Sequence, residues 1–145
     1  FNDLIMRRFW KAGFGVIEKT GTLDDILELL ERNHIIVSIF DQFTSPKNGV
    51  QTDFLGHPAW TFKSLAILAQ FTGAPVIPSS SWREPDGTHV LCFEPPVEIT
   101  SDGPTRDIIN KNTRRFNEAL ERIVLRHPEQ WLWMHRRWKG RSGKR

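Results

Sequence analysis

Five histidines and seventeen carboxylates are the proton-handling groups of this 145-residue chain. One pair, His89 and Glu94, stands five positions apart, a separation at which a carboxylate could orient an imidazole acting as general base on a hydroxyl. The run His-Val-Leu-Cys-Phe-Glu reads as a strand, though, and residues five apart in a strand point to opposite faces, about 16 Å from each other. A base and its orienting carboxylate need about 3 Å, so the pair is not read as a dyad. His34, His57, His127 and His135 have no acidic residue five positions on, and no Gly-x-Ser-x-Gly, phosphate-loop or His-Glu-x-x-His pattern occurs. Cys92 stands alone, which excludes an intramolecular disulfide and a four-thiolate zinc site. No metal or cofactor is expected.

Other residues are placed to bind rather than to react. Asp41 follows the apolar run Ile35-Ile36-Val37-Ser38-Ile39-Phe40, where a buried strand would hand over to a loop, and ligands of open α/β sheets gather at such strand ends. Its carboxylate could orient a partner side chain or hold a substrate hydroxyl; a plainer role is to cap its own loop. Arg83 takes the matching place after the Val76 strand, with donors suited to a phosphate. Thr61, just before an apolar-periodic stretch, fits a helix N-cap. The run Pro128–Lys139 holds half of the six tryptophans. Read as a helix over Glu129–Trp138, it puts Trp131, Met134, His135 and Trp138 on one face, with Arg136 and Arg137 projecting away from it. Such a helix either lies in a membrane interface or packs its aromatic stripe on a sheet with the arginines in water. Stacking on single-stranded nucleic acid is a further possibility.

These groups have to be positioned by a small number of elements. Leu23, Ile26, Leu27 and Leu30 have helical period, and the helix ends near Asn33. Ile35–Phe40, a short continuous run rich in β-branched residues, suits a strand buried on both faces. The segment from Phe43 to Gly56 reads as a long loop, and Phe62–Phe71 as a helix stopped by Gly73. Extended chain at Ala74–Pro78, a turn at Glu84–Gly87 and a strand at His89–Glu94 suggest a hairpin. From Thr105 a long helix runs until Pro128, with Ile109, Phe116, Leu120 and Ile123 inward and Arg and Asn outward. The order is α/β, a mixed sheet flanked by helices with long helices at the C-terminal end.

The length suits one core, read as a single domain over residues 1–139 followed by a disordered basic tail at 140–145. No stretch approaches the roughly 18 apolar residues that span a bilayer. Residues 111–145 carry 11 Lys/Arg against three Asp/Glu, a net +8, whereas residues 1–110 sum to −5. That polarity points to an anionic partner at the C-terminal end. The chain opens on Phe1 within an apolar-periodic segment, as a piece of a longer protein would.

Taken together, Asp41-Gln42, Gly49-Val50, Asp53-Phe54-Leu55-Gly56, Thr61, Thr72-Gly73-Ala74-Pro75-Val76-Ile77-Pro78, Arg83, Asp86-Gly87, Glu94-Pro95-Pro96 and the run from Pro128 to Lys139 resemble the C-terminal portion of the bacterial lipid A biosynthesis acyltransferases, within the lysophospholipid acyltransferase superfamily. The likeness extends from about Gly15 to Lys139. It implies part of a glycerolipid-acyltransferase-like fold. The activity it implies is transfer of a fatty acyl chain from acyl carrier protein or coenzyme A to a glycolipid hydroxyl, at the cytoplasmic face of the inner membrane. It further implies a metal-independent His-x4-Asp/Glu dyad, expected upstream of residue 1, so that residues 1–145 are inactive alone. Asp41, Gln42, Thr61 and Arg83 would contact substrate. Trp131, Arg136, Arg137, Trp138 and Lys139 would meet the anionic leaflet or another anionic ligand. The alternatives are a non-catalytic membrane-surface or partner-binding module and a nucleic-acid-binding domain; the resemblance implies no nucleic acid.

Overall fold

The computed structural model describes residues 2–17 and 22–139, so the tail read at 140–145 lies outside the described residues. The chain falls into two compact units, Phe1–Val37 and Ser38–Arg145.

The first unit holds helices α1 (Asn2–Lys11) and α2 (Thr22–Glu31). Both end alike. Phe14 N–H bonds the Phe9 carbonyl at 2.9 Å after α1, and His34 N–H bonds the Leu29 carbonyl at 2.9 Å after α2. Such six-to-one bonds occupy carbonyls that the last helical turn leaves unpaired, and at α1 the Phe9 and Phe14 rings meet edge to face at 6.4 Å. The chain then departs from the sequence reading: Ile35–Phe40 forms no strand and pairs with none among the described residues, and Ile35 is 90% exposed. A run apolar on both faces becomes a buried strand only where neighbouring chain takes its hydrogen bonds and covers both sides. No described segment does so.

In the second unit, β1 (Gly49–Phe54) and β2 (His57–Phe62) form an antiparallel hairpin, where the sequence reading placed a loop. The two-residue turn Leu55-Gly56 has positive φ at both positions, 50° and 74°, the geometry that matches strand twist. Leucine pays about 1–2 kcal/mol for that conformation, offset by the Leu55 N–H bonding to Glu121 Oε1 at 2.9 Å. Helix α3 (Ser64–Thr72) follows, with its stop at Gly73 as expected: φ is 68° and the N–H bonds Ala69 O at 2.9 Å. Thr61 therefore lies inside β2 and is no N-cap. β3 (Ser79–Arg83) and β4 (His89–Phe93) make the second hairpin; its turn at Glu84–Gly87 is where the sequence placed it, with Glu84 N–H bonding Thr88 O at 2.8 Å, but its first strand is Ser79–Arg83 and not the Ala74–Pro78 segment read as extended. The ladder continues through Glu94 N–H to Pro78 O and Val97 N–H to Val76 O, both 2.9 Å.

Helix α4 (Thr105–Arg126) is the spine. Phe116 packs with Ala66 and Ala69 of α3, bordered by Phe40, Val76 and Ile99. Val124, two turns on, packs with Phe54 and Ala59, bordered by Leu120, Trp131 and Trp138. Asn112, Thr113 and Asn117 of the same helix are buried as well, so the expectation that the asparagines of this helix face outward is corrected. Asn112 grips Thr100 through both backbone groups, at 2.9 and 3.0 Å. After Pro128 a single 3₁₀ turn (Pro128–Gln130) gives way to turns, and the helix read over Glu129–Trp138 does not form. The side chains there bond in several directions at once, which one helical face cannot satisfy. The result is mixed α/β, two antiparallel hairpins packed with helices, the longest of them near the C-terminal end.

Candidate functional site

Arg137 is the centre of the polar assembly. It is 0% exposed, contrary to the outward position read from the sequence. One guanidinium nitrogen donates to the Trp60 carbonyl at 2.7 Å, and the other to Thr61 Oγ1 at 2.7 Å and more weakly to Asn117 Oδ1 at 3.4 Å. The group lies over the Phe54 ring at 5.0 Å, and Nε has no partner. Among the described residues no carboxylate is within ion-pairing distance. Burial pushes its pKa down to about 10, opposed by the field of the Asp41 carboxylate. Arg137 is therefore a buried cation at neutral pH, facing neutral acceptors and one acidic residue at longer range.

Asp41 is held from the same stretch of chain. Its Oδ2 accepts from the Trp131 indole N–H at 3.0 Å. Two residues on, the Phe43 N–H donates to His135 Nε2 at 2.9 Å, which requires that nitrogen to be the acceptor and leaves the ring proton on Nδ1. Lys139 lies 6.0 Å over the Phe43 ring. Gln42 is exposed between them, and Thr44, next along, is buried.

Thr61, buried in β2, has its hydroxyl occupied: it accepts from Arg137 and from Asn117 Nδ2 at 3.1 Å. Asn117 also donates to Asp53 O at 2.9 Å, tying α4 to both strands of the first hairpin. The backbone comes so close here that a β-carbon on Gly49 would meet Thr44 Cγ2 at 2.5 Å and Thr61 O at 2.7 Å.

Arg83 ends β3 and is clipped by Gln130, whose amide accepts from the Arg83 N–H at 2.8 Å and donates to its carbonyl at 2.9 Å. The exposed guanidinium reaches His89 Nε2 at 2.8 Å. A shallow cleft of about 520 Å³ lies beside it, lined by Arg83, Glu84, Pro85, His127, Glu129 and Gln130 but not by Asp41. Asp41 and Arg83 are nevertheless gathered by consecutive residues, Trp131 and Gln130. His89 and Glu94 go separate ways: Glu94 is paired with Arg126 at 2.6 Å and Arg122 at 3.5 Å. Among the described residues no three His, Cys, Asp or Glu side chains gather as a metal site would need.

Of the C-terminal residues singled out in the sequence, Trp131 and Trp138 are half-buried against Phe54, with ring centroids 5.6 Å away in each case, while Arg136 and Lys139 are exposed. Asn117, Gln130 and His135 were missed as site residues. Asn117 had a signal: it follows Phe116 and stands three before Leu120, on the helical face that the apolar period marks as inward.

The family model described as bacterial lipid A biosynthesis acyltransferase matches residues 1–140. The chain is 27% identical over 120 residues to the lipid A biosynthesis lauroyltransferase of Escherichia coli, covering 82% of this chain and 38% of that protein. It is 28% identical over 129 residues to a phosphatidylinositol mannoside acyltransferase of Mycobacterium tuberculosis, covering 87% and 39%. The chain thus spans about two fifths of the length of these curated relatives.

Proposed function

Because the chain belongs to the bacterial lipid A biosynthesis acyltransferase family, we propose that it is the binding half of an enzyme that moves a fatty acyl chain onto a glycolipid hydroxyl. The observation that carries this is the family match along residues 1–140. The donor in this reading is an acyl carrier protein or acyl coenzyme A, and the acceptor a lipid A precursor. The base belongs to a His-x4-Asp/Glu dyad in the part of the relatives' length that this chain does not span, so residues 1–145 alone do not turn over.

The site geometry supports specific roles. Asp41 has one carboxylate oxygen fixed by Trp131, which leaves the other to accept from a substrate hydroxyl. Arg83 has an exposed guanidinium beside a cleft, suited to a phosphate of the acceptor or of the donor's phosphopantetheine. Gln42, exposed next to Asp41, adds an amide to the same place. Thr61 acts on substrate only through the chain it supports, since its hydroxyl is already bonded to Arg137 and Asn117. The enzyme works at the inner membrane, at its cytoplasmic face. Contact of this stretch with the membrane is peripheral in this reading. Among the described residues no helix is long and apolar enough to cross a membrane.

The test is acyl transfer by the product of the complete coding sequence, with matched acyl carrier protein and coenzyme A donors. Arg83→Ala is expected to raise KM for a phosphorylated acceptor about tenfold with kcat little changed, and Asp41→Ala to lower kcat/KM about 10²-fold. Full transfer by both variants would overturn these roles, and no transfer to any glycolipid by the wild type would overturn the assignment.

A further inference from the structure

From Trp131 to Lys139 the side chains divide by direction. Trp131, His135, Arg137 and Trp138 turn inward, to Asp41, Phe43, Thr61 and Phe54. Left outside are Leu132, Trp133 and Met134, three consecutive apolar side chains that are 63%, 53% and 89% exposed, with Arg136 and Lys139 exposed beyond them. The loop that carries them is bonded internally. Its backbone closes on itself through Trp133 N–H to Trp131 O at 2.8 Å and His135 N–H to Leu132 O at 3.1 Å, and the inward residues pin both ends. Trp133 packs edge-on against Trp131, with centroids 4.6 Å apart. Its indole N–H donates to Pro128 O at 2.6 Å, so the exposed ring carries no free donor. An unbonded donor would resist transfer out of water; this one is satisfied within the chain.

We propose that Leu132, Trp133 and Met134 form a finger that inserts into the interface of an anionic bilayer, with Arg136 and Lys139 meeting the headgroups. The proposal rests on the membrane association put forward above and moves the contact from the inward Trp131, Arg137 and Trp138 to the residues between them. Charge selects the occupant. Arg136 and Lys139 stand exposed next to the three apolar side chains, and an anionic leaflet attracts cations placed beside an inserting apolar tip. A second copy docked on the same patch would bring Arg136 and Lys139 against their own equivalents.

The experiment measures co-sedimentation of the full chain with vesicles of phosphatidylglycerol and phosphatidylcholine, and with phosphatidylcholine alone. Wild type is expected to partition onto the anionic vesicles in a salt-sensitive way. Leu132→Ser with Trp133→Ser and Met134→Ser, changes on exposed side chains that circular dichroism should show to leave the fold intact, is expected to weaken partitioning tenfold or more. Arg136→Ser with Lys139→Ser should weaken it about 25-fold on anionic vesicles, at roughly fivefold per cation, and leave the neutral ones unaffected. Leu91→Ser with Phe93→Ser, exposed apolar residues on β4, serves as the comparison and should leave partitioning unchanged. Undiminished partitioning of the folded triple variant overturns the finger while leaving membrane association standing, as does a loss confined to the β4 pair. A triple variant that changes only the oligomeric state shows that the patch is covered by a second copy and also overturns it. Wild type that binds no vesicle overturns both this proposal and the membrane reading.

Discussion

Arg137 allows a test in which volume, hydrogen bonding and charge burial separate. Its pKa near 10 means that the fold holds the guanidinium at a cost of about 3 kcal/mol relative to water, since a tenfold change in proton affinity is about 1.4 kcal/mol. Against that stand two short bonds to Trp60 O and Thr61 Oγ1, each about 1.5–3 kcal/mol for a charged donor. Arg137→Met keeps most of the packing on Phe54, loses both bonds and removes the desolvation penalty, so the terms nearly cancel and stability should stay within about 1–2 kcal/mol of wild type. Arg137→Ala loses the same bonds and opens a cavity between β2 and α4, at a cost of about 3–5 kcal/mol. Arg137→Lys buries the same charge with fewer donors and should fall below Met. Urea unfolding followed by circular dichroism on the full chain gives the three values. If Met proves as damaging as Ala, charge burial is not a cost here and the reasoning fails; Ala within 1 kcal/mol of wild type would mean that the side chain is not packed as described.

Three other outcomes are expected. His135→Ala removes the acceptor for the Phe43 N–H and should raise amide exchange at Phe43 about tenfold, with partial recovery in His135→Gln, as read by hydrogen-exchange mass spectrometry. Gly49→Ala should destabilise by about 1–3 kcal/mol in thermal unfolding. Adding Thr44→Ser should recover only part, because the Thr61 carbonyl contact at 2.7 Å remains. The Thr88 N–H and hydroxyl hold the Asp86 carboxyl below its usual range. A lowered carboxylate pKa stabilises the fold above the ordinary carboxylate range, and that contribution is lost as pH falls through the folded value. An NMR titration following the Thr88 amide should place its midpoint below that of a carboxylate in an unstructured peptide, with no such transition in Asp86→Asn.

Elements set by local spacing could be read from the chain alone. The helices α2, α3 and α4, the Gly73 stop and the β3–β4 turn all follow from apolar period and turn residues a few positions apart. The first hairpin was missed because Leu55-Gly56 lacks the Asn-Gly or Asp-Gly signature, its leucine being held at φ 50° by Glu121 from another element. The reverse error arose at Ile35–Phe40 and Glu129–Trp138, where the local pattern is strong but the partners decide. A strand needs a neighbouring chain, and a Trp-Arg run becomes a helix only if its side chains agree on a face. The site shows the same division. Asp41 and Arg83 were singled out as apt residue types at strand ends, and of the two only Arg83 ends a strand, whereas the burial of Arg137 depends on Trp60, Thr61 and Asn117, 77, 76 and 20 positions away.

The bonds that steady Asp41 and Phe43 close loops of 90 and 92 residues. During synthesis both hairpins and most of α4 can form while those two positions still wait for their partners. At 5–20 residues per second, the interval between making Phe43 and making His135 is several seconds at least. A nascent chain stopped at Arg126 would lack both the Trp131 bond to Asp41 and the His135 bond to Phe43, although Phe40 already has Phe116 to pack on. The segment at Asp41 and Phe43 therefore waits on residues made about ninety positions later, and a frameshift just before Trp131 removes both partners while sparing the two hairpins.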